Sequence, residues 1–182
     1  MPREAVTLFF ALLAVAAELG ALSIVVLAVG ARWSTFLRSQ RDRVFAELAP
    51  QAVVLAFVVA TVATLGSLYL SEVAHFAPCR LCWYQRGAMY PLVPILGVLA
   101  WRDLAWLRWL ATVLPLAGGI VSVWHLLIER YPNLDSGSCD PLNRCSLVWV
   151  RHLGYLTIPA MALSGFALIA ALLYLTHRSV PD

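Results

Sequence analysis

The four cysteines of this chain fall into two pairs that are suited to thiol–disulfide exchange. Cys79 and Cys82 form a CxxC motif at the start of an apolar segment, and Cys139 and Cys145 lie in a later loop. We expect both pairs on the same side of a membrane. Because exchange proceeds when a thiolate attacks a disulfide, two adjacent dithiols can pass electrons between them. Arg86, just inside the lipid boundary, suggests that the electrons continue to a lipid-soluble carrier.

The first pair lies where a helix N-terminus would activate it. Pro78 is typical of the start of a helix. A helix that begins there carries Cys79, Cys82 and Arg86 on one face, at positions i, i+3 and i+7. The free N–H groups and the positive dipole end favour a thiolate, and Arg86 adds a full positive charge one turn beyond Cys82. We therefore expect the reactive thiolate at Cys82.

Arg86 needs an explanation of its own, because an arginine inside the edge of the hydrocarbon costs about 2–3 kcal/mol on insertion scales. Such a residue is usually functional or paired. The alternative is that its long side chain reaches back to the membrane surface. The two cysteines on the same helix face favour the functional interpretation.

The loop pair, Cys139 and Cys145, would close a short ring if it formed a disulfide, which stabilises the fold by about 2 kcal/mol. A mobile, exposed disulfide of this kind is suited to exchange, and a simple loop staple is the alternative. The four cysteines could also bind zinc. Such sites usually hold together small domains with little core, which a helix bundle in lipid does not need, so no metal is expected.

His125 lies near the outer end of a later apolar run, preceded by Trp124. On a helix this places the imidazole near the depth expected for Arg86. It could donate a hydrogen bond to a carbonyl-bearing ligand, and a satisfied histidine between helices is the alternative.

The composition predicts an all-α membrane protein. The 182 residues are 62% hydrophobic and 13% charged, with a mean hydropathy of +0.81, which excludes an ordinary soluble domain. A net charge of +3 is too small to indicate nucleic-acid binding. We predict one transmembrane domain, residues 1–182, in which a four-helix catalytic bundle at about 49–176 follows an additional N-terminal helix. The apolar runs are about 6–30, 49–70, 82–101, 109–128 and 153–176.

The loops predict the orientation of these helices. The connection at 31–50 carries four arginines and is expected in the cytoplasm by the positive-inside rule. Both cysteine pairs then face outward, where disulfides persist. The run at 6–30 is longer than the apolar core of a signal peptide and carries Glu18, so we expect a retained helix with its N-terminus outside. The outward loop is predicted at 129–152, and residues 146–153 fit either a short interfacial helix or the start of the last span.

The segment Pro78 to Arg86, followed by Trp124-His125 and Tyr131-Pro132, resembles the disulfide bond formation protein B family of bacteria. The resemblance covers about residues 50–176. It implies a multi-pass oxidoreductase of the bacterial inner membrane that generates disulfides. Members take electrons from an extracytoplasmic thioredoxin-like thiol oxidase and pass them to a quinone, and ubiquinone and menaquinone fit this chain equally well.

The resemblance also implies roles for individual residues of the membrane-embedded pair. Cys82 would be the thiolate next to the quinone, and Cys79 would be its disulfide partner and its link to the loop. Arg86 would bind or polarise a quinone oxygen, and His125 matches a family position near the quinone.

For the loop pair, the resemblance implies that the partner's thiolate attacks Cys139 and that Cys145 leaves. The close spacing of this pair is similar to the compact loop of Gram-positive relatives. Gln85 stands where enterobacterial members have an acidic residue, and the first helix with Glu18 is additional.

Two rival functions stay open at this level. Vitamin K epoxide reductase-like quinone reductases share a four-helix core, but their loop cysteines precede the CxxC motif, whereas Cys139 and Cys145 follow it. The other rival is a non-enzymatic membrane protein in which the disulfides are structural.

Overall fold

A computed structural model of the chain describes residues 3–135, 137, 139, 140 and 143–178, and for 177 and 178 the helical backbone alone. All the longer elements of these residues are α-helices, so the predicted all-α fold is confirmed. They are α1 (Arg3–Gly30), α2 (Thr35–Leu48), α3 (Ala52–Leu68), α4 (Arg80–Met89), α5 (Leu92–Leu99), α6 (Ala105–Arg130) and α7 (Ile158–Arg178).

Four helical stretches within the described residues are long and apolar enough to cross a membrane. They are Arg3–Gly30, Thr35–Val73, Ala105–Arg130 and Ile158–Thr176. The run predicted at 82–101 is divided into α4 and α5 at Tyr90 and Pro91. Proline lacks the N–H of an internal helical bond and its ring clashes with the preceding turn, which explains the break. Together α4 and α5 have about the length that one crossing requires.

Helix α7 forms much of the core and packs against α1, α3 and α6. Phe166, Ile169, Leu172 and Leu175 on α7 are buried. Gly118 on α6 makes room for the ring of Phe166, because a Cβ at position 118 would overlap that ring. Small residues at such crossings let two backbones approach closely, which is how helices gain packing energy in lipid.

The arginine-rich connection expected at 31–50 is largely helical. Helix α2 begins after Ser34, whose side chain accepts a hydrogen bond from the N–H of Leu37. None of its residues is buried. A short 3₁₀ turn, Ala49–Gln51, joins α2 to α3, and a π-helical turn, Tyr69–Val73, ends that continuous stretch.

The interfacial helix and the early helix start considered for residues 146–153 are both wrong. The backbone N–H and C=O groups of His152 and Leu156 pair with each other at 3.0 and 2.9 Å. Leu153 and Gly154 have φ values of 50° and 81° and form the turn of this small hairpin. These φ values are incompatible with an α-helix, so α7 starts only at Ile158. Residues 136, 138, 141 and 142 of the predicted outward loop lie outside the described residues.

Candidate redox site

The CxxC motif lies at the N-terminus of α4, where Cys79 caps the helix. Its backbone is extended, with φ −73° and ψ 174°, and its Sγ accepts a hydrogen bond from the N–H of Cys82 at 3.4 Å. The two Sγ atoms are 2.8 Å apart, and both cysteines are free. A small movement would bring them to bonding distance. The helix start predicted at this motif is confirmed.

The loop pair lies against the motif. Cys139 and Cys145 form a disulfide, and both are packed in one apolar cluster with Cys79. The side-chain amide of Asn143 donates a hydrogen bond to the carbonyl of Pro78 at 2.9 Å, which ties the loop to the residue before the motif. The predicted juxtaposition of the two cysteine pairs is therefore what the fold produces.

The expectation of an exposed loop disulfide is wrong. Cys139 is 8% exposed and Cys145 is 1% exposed. The hydrogen bond from Asn143 and the packing of both cysteines against Ile128 near the C-terminal end of α6 account for this burial. The disulfide packs against Cys79, Leu81 and Ile128.

His125 lies between the two cysteine pairs. It is 3% exposed, and its Nε2 is 3.7 Å from Cys79 Sγ and 3.1 Å from the carbonyl oxygen of Cys145. Its Nδ1 has no hydrogen-bond partner among the described residues. The imidazole is therefore a bridge between the pairs, on the side of the motif that faces the loop.

Cys79, just before α4, has the polar surroundings that stabilise a thiolate. The hydrogen bond from the Cys82 thiol lowers the pKa of Cys79, and the imidazole of His125 and the N–H of Cys82 act in the same direction, against the effect of burial. This differs from the expectation of a thiolate at Cys82. When the pair is reduced, the negative charge is favoured on the Cys79 sulfur, because the Cys82 thiol, the Cys82 N–H and the His125 imidazole all donate toward that atom.

A cavity of about 420 Å³ lies on the other side of the motif, between α1, α3, α4 and α7. Cys82 and Arg86 line it, whereas Cys79 and His125 do not. Most of its other lining residues are apolar. The resemblance implies a position for His125 near the quinone, and in the structure its imidazole lies beside Cys79 and Cys145 rather than in the wall of this cavity.

Arg86 is held in the wall of this cavity by α3. Its Nε donates to Ser67 Oγ and its Nη2 donates to the Ser67 carbonyl, both at 3.0 Å. The guanidinium carbon also lies 5.1 Å from the centre of the Trp83 ring. Arg86 therefore has partners within the bundle, and these contacts offset part of the cost of the charge at this depth.

Sequence reasoning missed Ser67 and Tyr90, which complete this polar cluster. The Tyr90 hydroxyl donates to Ser67 Oγ at 3.3 Å. One available signal was a serine within an apolar run. The other was a tyrosine four residues after Arg86, because this spacing places the phenol ring and the guanidinium group on the same helix face.

Gln85 links the motif helix to α6. Its side-chain amide donates to Ser122 Oγ at 3.0 Å, and Ser122 Oγ donates to the Gly118 carbonyl at 2.8 Å. Gln85 and Ser122 are buried. A neutral amide makes this link without placing a charge among the helices.

Comparison with known proteins identifies the family. Residues 49–176 match the family model described as Disulfide bond formation protein DsbB. The chain belongs to this family. The match includes α3 to α7 up to position 176 and all four cysteines, and it leaves α1 and α2 outside.

Named relatives of the DsbB-family chain come from several bacteria. Disulfide bond formation protein C of Bacillus subtilis is 39% identical over 115 residues, which are 63% of this chain and 83% of that protein. Probable disulfide formation protein C 2 of Bacillus anthracis is 37% identical over 69% of this chain and 89% of its own length. Probable disulfide formation protein of Chlamydia trachomatis is 30% identical over 69% of this chain and 91% of its own length. No solved structure matches the chain significantly.

Membership of the DsbB family makes the protein a disulfide-forming oxidoreductase. Membership also excludes the alternative of a non-enzymatic membrane protein. The rival assignment to vitamin K epoxide reductase-like proteins is disfavoured, because the loop cysteines follow the CxxC motif in this chain. The Cys₄ zinc alternative is disfavoured by the Cys139–Cys145 disulfide, which leaves two free thiols. These two sulfurs and a His125 nitrogen lie within 4.8 Å of one another.

Glu129 is a further site residue of this DsbB-family chain that sequence reasoning missed. It lies one helical turn after His125 and accepts a hydrogen bond from Thr157 Oγ1 at 2.8 Å. With Cys79 and His125 it lines a small space of about 20 Å³, roughly the size of one water molecule. The signal was the i, i+4 spacing of His125 and Glu129 on one face of α6.

Proposed function

We propose that the protein takes electrons from an extracytoplasmic thioredoxin-like thiol oxidase and delivers them to a membrane quinone. The route runs from the partner's dithiol to Cys139–Cys145, then to Cys79–Cys82, then to the quinone. One observation carries this proposal. Both cysteines of the CxxC motif pack against the cluster that holds the loop disulfide, but only Cys82 also lines the apolar cavity with Arg86.

The first step is exchange at the loop. The partner's thiolate attacks Cys139, the Cys139–Cys145 bond breaks, and Cys145 leaves as the thiolate. The partner's second thiolate then attacks its own sulfur of the mixed disulfide. The products are an oxidised partner and a reduced loop pair, so two electrons have entered the chain.

The second step moves these two electrons between the pairs, with Cys79 and Cys82 now joined as a disulfide. A loop thiolate attacks Cys79 Sγ, and Cys82 leaves as the thiolate on the cavity side. The second loop thiol closes the Cys139–Cys145 disulfide again and releases Cys79. His125, 3.7 Å from Cys79 Sγ, is within reach to stabilise the charge on that sulfur.

The residues around the cavity fit a quinone. The lining is apolar enough for an isoprenoid chain, and Arg86, fixed by Ser67, supplies a positive donor for a carbonyl oxygen. A bound quinone accepts two electrons and two protons, which returns Cys79–Cys82 to the disulfide. We assign Arg86 to orienting that oxygen beside Cys82, and His125 to the exchange between the pairs.

Reduction of a soluble quinone analogue by the purified protein tests the proposal. With a reduced thioredoxin-like protein as electron donor, the quinone absorbance should fall at a rate that requires all four cysteines. Cys82→Ser should abolish turnover, while one round of exchange still oxidises the partner and leaves the loop pair reduced. Undiminished turnover in Cys82→Ser would refute the proposed route.

A further inference from the structure

We propose that α1 is a functional wall of the quinone cavity and selects quinones by their isoprenoid chain. The inference rests on the proposed function, since it assigns a ligand to the cavity beside Cys82. It gives a role to a helix that lies outside the segment matching the DsbB family, residues 49–176.

The first observation is the lining of the cavity. Five residues of α1 contribute to it, and all five are apolar: Phe10, Leu13, Ala14, Ala16 and Ala17. The polar groups of the wall come from other helices, with Arg86 on α4 and Ser67 on α3. A quinone ring held near Arg86 and Cys82 would therefore meet α1 with its hydrocarbon chain.

The second observation is that α1 packs closely against the bundle. Small residues form one stripe of buried positions on it: Ala11, Ala14, Ala17 and Ala21. Phe10 lies on Gly66 of α3, where a Cβ would be 2.7 Å from the ring. Small residues at such contacts allow the close packing that holds helices together in lipid.

The third observation is a set of polar contacts that fix α1 against α7 and the outer hairpin. The Glu18 carboxylate accepts hydrogen bonds from Tyr155 Oη at 2.7 Å and Ser164 Oγ at 2.9 Å. Nearer the outer end of the helix, Thr7 Oγ1 and His152 Nε2 are 3.0 Å apart. Because a polar group without a partner is costly in lipid, these contacts oppose the departure of α1 from the bundle.

Two adjacent leucines provide a matched test. Leu13 lines the cavity, whereas Leu12, on the same helix and 56% exposed, does not. Leu13→Ala should raise the KM for a quinone with an isoprenoid chain about three- to tenfold, because contacts with that chain are lost. The KM for the same ring without the chain should stay unchanged, and Leu12→Ala should change neither.

A second variant tests the same wall in the opposite direction. Ala16 lines the cavity and is otherwise exposed, so Ala16→Phe adds volume without entering the buried stripe. It should discriminate against long-chain quinones while partner-to-loop exchange continues at the parental rate. Equal effects on quinones with and without the chain, or no effect in either variant, would overturn the inference. Failure of the parent protein to reduce any quinone would overturn the proposed function and this assignment together.

Discussion

Cys79 and Cys82 lie three residues apart, yet their sulfur atoms have different surroundings. Cys82 lines the apolar cavity, and Cys79 lies next to His125 and the loop disulfide. In a membrane protein this separation is useful, because thiol exchange requires charged sulfur whereas a lipid-soluble acceptor requires an apolar site. The capping position of Cys79 produces both environments from one helix turn.

The surroundings of Cys79 lead to a prediction about pH. Its pKa is lowered, so the thiolate persists as the pH falls, and alkylation of the reduced motif should remain fast well below the ordinary pKa of a cysteine. His125→Ala removes a group that lowers this pKa and should move the alkylation midpoint to higher pH. Measurement of the iodoacetamide rate at Cys79 against pH, with Cys82 retained in both proteins and the alkylated residue identified by mass spectrometry, gives the midpoint. An unchanged midpoint in His125→Ala would contradict the contact assigned to the imidazole.

Arg86 leads to a second prediction. Arg86→Ala should weaken use of the quinone about ten- to a hundredfold in kcat/KM, the range expected for the loss of a charged hydrogen bond. Exchange between the partner and the loop should be unaffected. Arg80→Ala is the control, because Arg80 is an exposed arginine on the same helix. Loss of partner exchange in Arg86→Ala, or an equal loss in Arg80→Ala, would argue against the assigned role.

At the level of residues, the sequence was most informative where the spacing of residues along a helix limits the geometry of the site. The CxxC spacing and the position of Arg86 predicted a capped helix with one functional face. The role of Ser67 could not be predicted, since its two bonds to Arg86 depend on how α3 packs beside α4. The neighbours of His125 could not be predicted either, because helical periodicity gives the depth of a side chain but not the residues that it contacts.

At the level of elements, the crossing of α6 and α7 depends on a single small residue. A Cβ at Gly118 would overlap the ring of Phe166, whereas a Cβ at Gly119 would lie 3.8 Å from the nearest atom of Leu163. The two adjacent glycines therefore face very different spaces. One of them is required by packing and the other is not.

This contrast gives a third prediction. Gly118→Ala should destabilise the protein by about 1–3 kcal/mol, the usual cost of overpacking. Gly119→Ala should be neutral or slightly stabilising, because alanine is the better helix former. Thermal unfolding in detergent measures both. Phe166→Leu should recover part of the loss when it is combined with Gly118→Ala, and its failure to do so would place the strain elsewhere.

The apolar runs predicted the helices well, because twenty residues without charge have few other structures available in lipid. They did not predict the break at Tyr90 and Pro91, since proline is tolerated within many membrane helices. The hairpin at His152–Leu156 was missed because its turn uses a positive φ at Leu153, which composition does not reveal. Helix α2 was expected as a connection between spans, because its arginines interrupt the apolar pattern by which the helices were predicted.

At the level of the whole molecule, the arrangement separates two faces. The cysteine pairs and the hairpin at His152–Leu156 lie at one end of the helices, and α2 with its exposed arginines follows the opposite end of α1. The positive-inside rule then predicts that the cysteines face away from the cytoplasm.

Labelling tests this orientation as a fourth prediction. After mild reduction of intact cells, a membrane-impermeant maleimide should label the loop cysteines without permeabilisation. A single cysteine introduced by Arg41→Cys, in a chain whose four native cysteines are serine, should react only after the membrane is opened. Labelling of position 41 from outside would reverse the proposed topology.

The covered state of the loop disulfide has a kinetic consequence. A nucleophile carried on another folded protein must reach the sulfur that it attacks, and Cys139 is only 8% exposed. The hydrogen bond from Asn143 to Pro78 must open before the encounter becomes productive. The rate of oxidation should therefore reach a plateau as the partner's concentration rises, with the plateau equal to the frequency of loop opening, and Asn143→Ala should raise it.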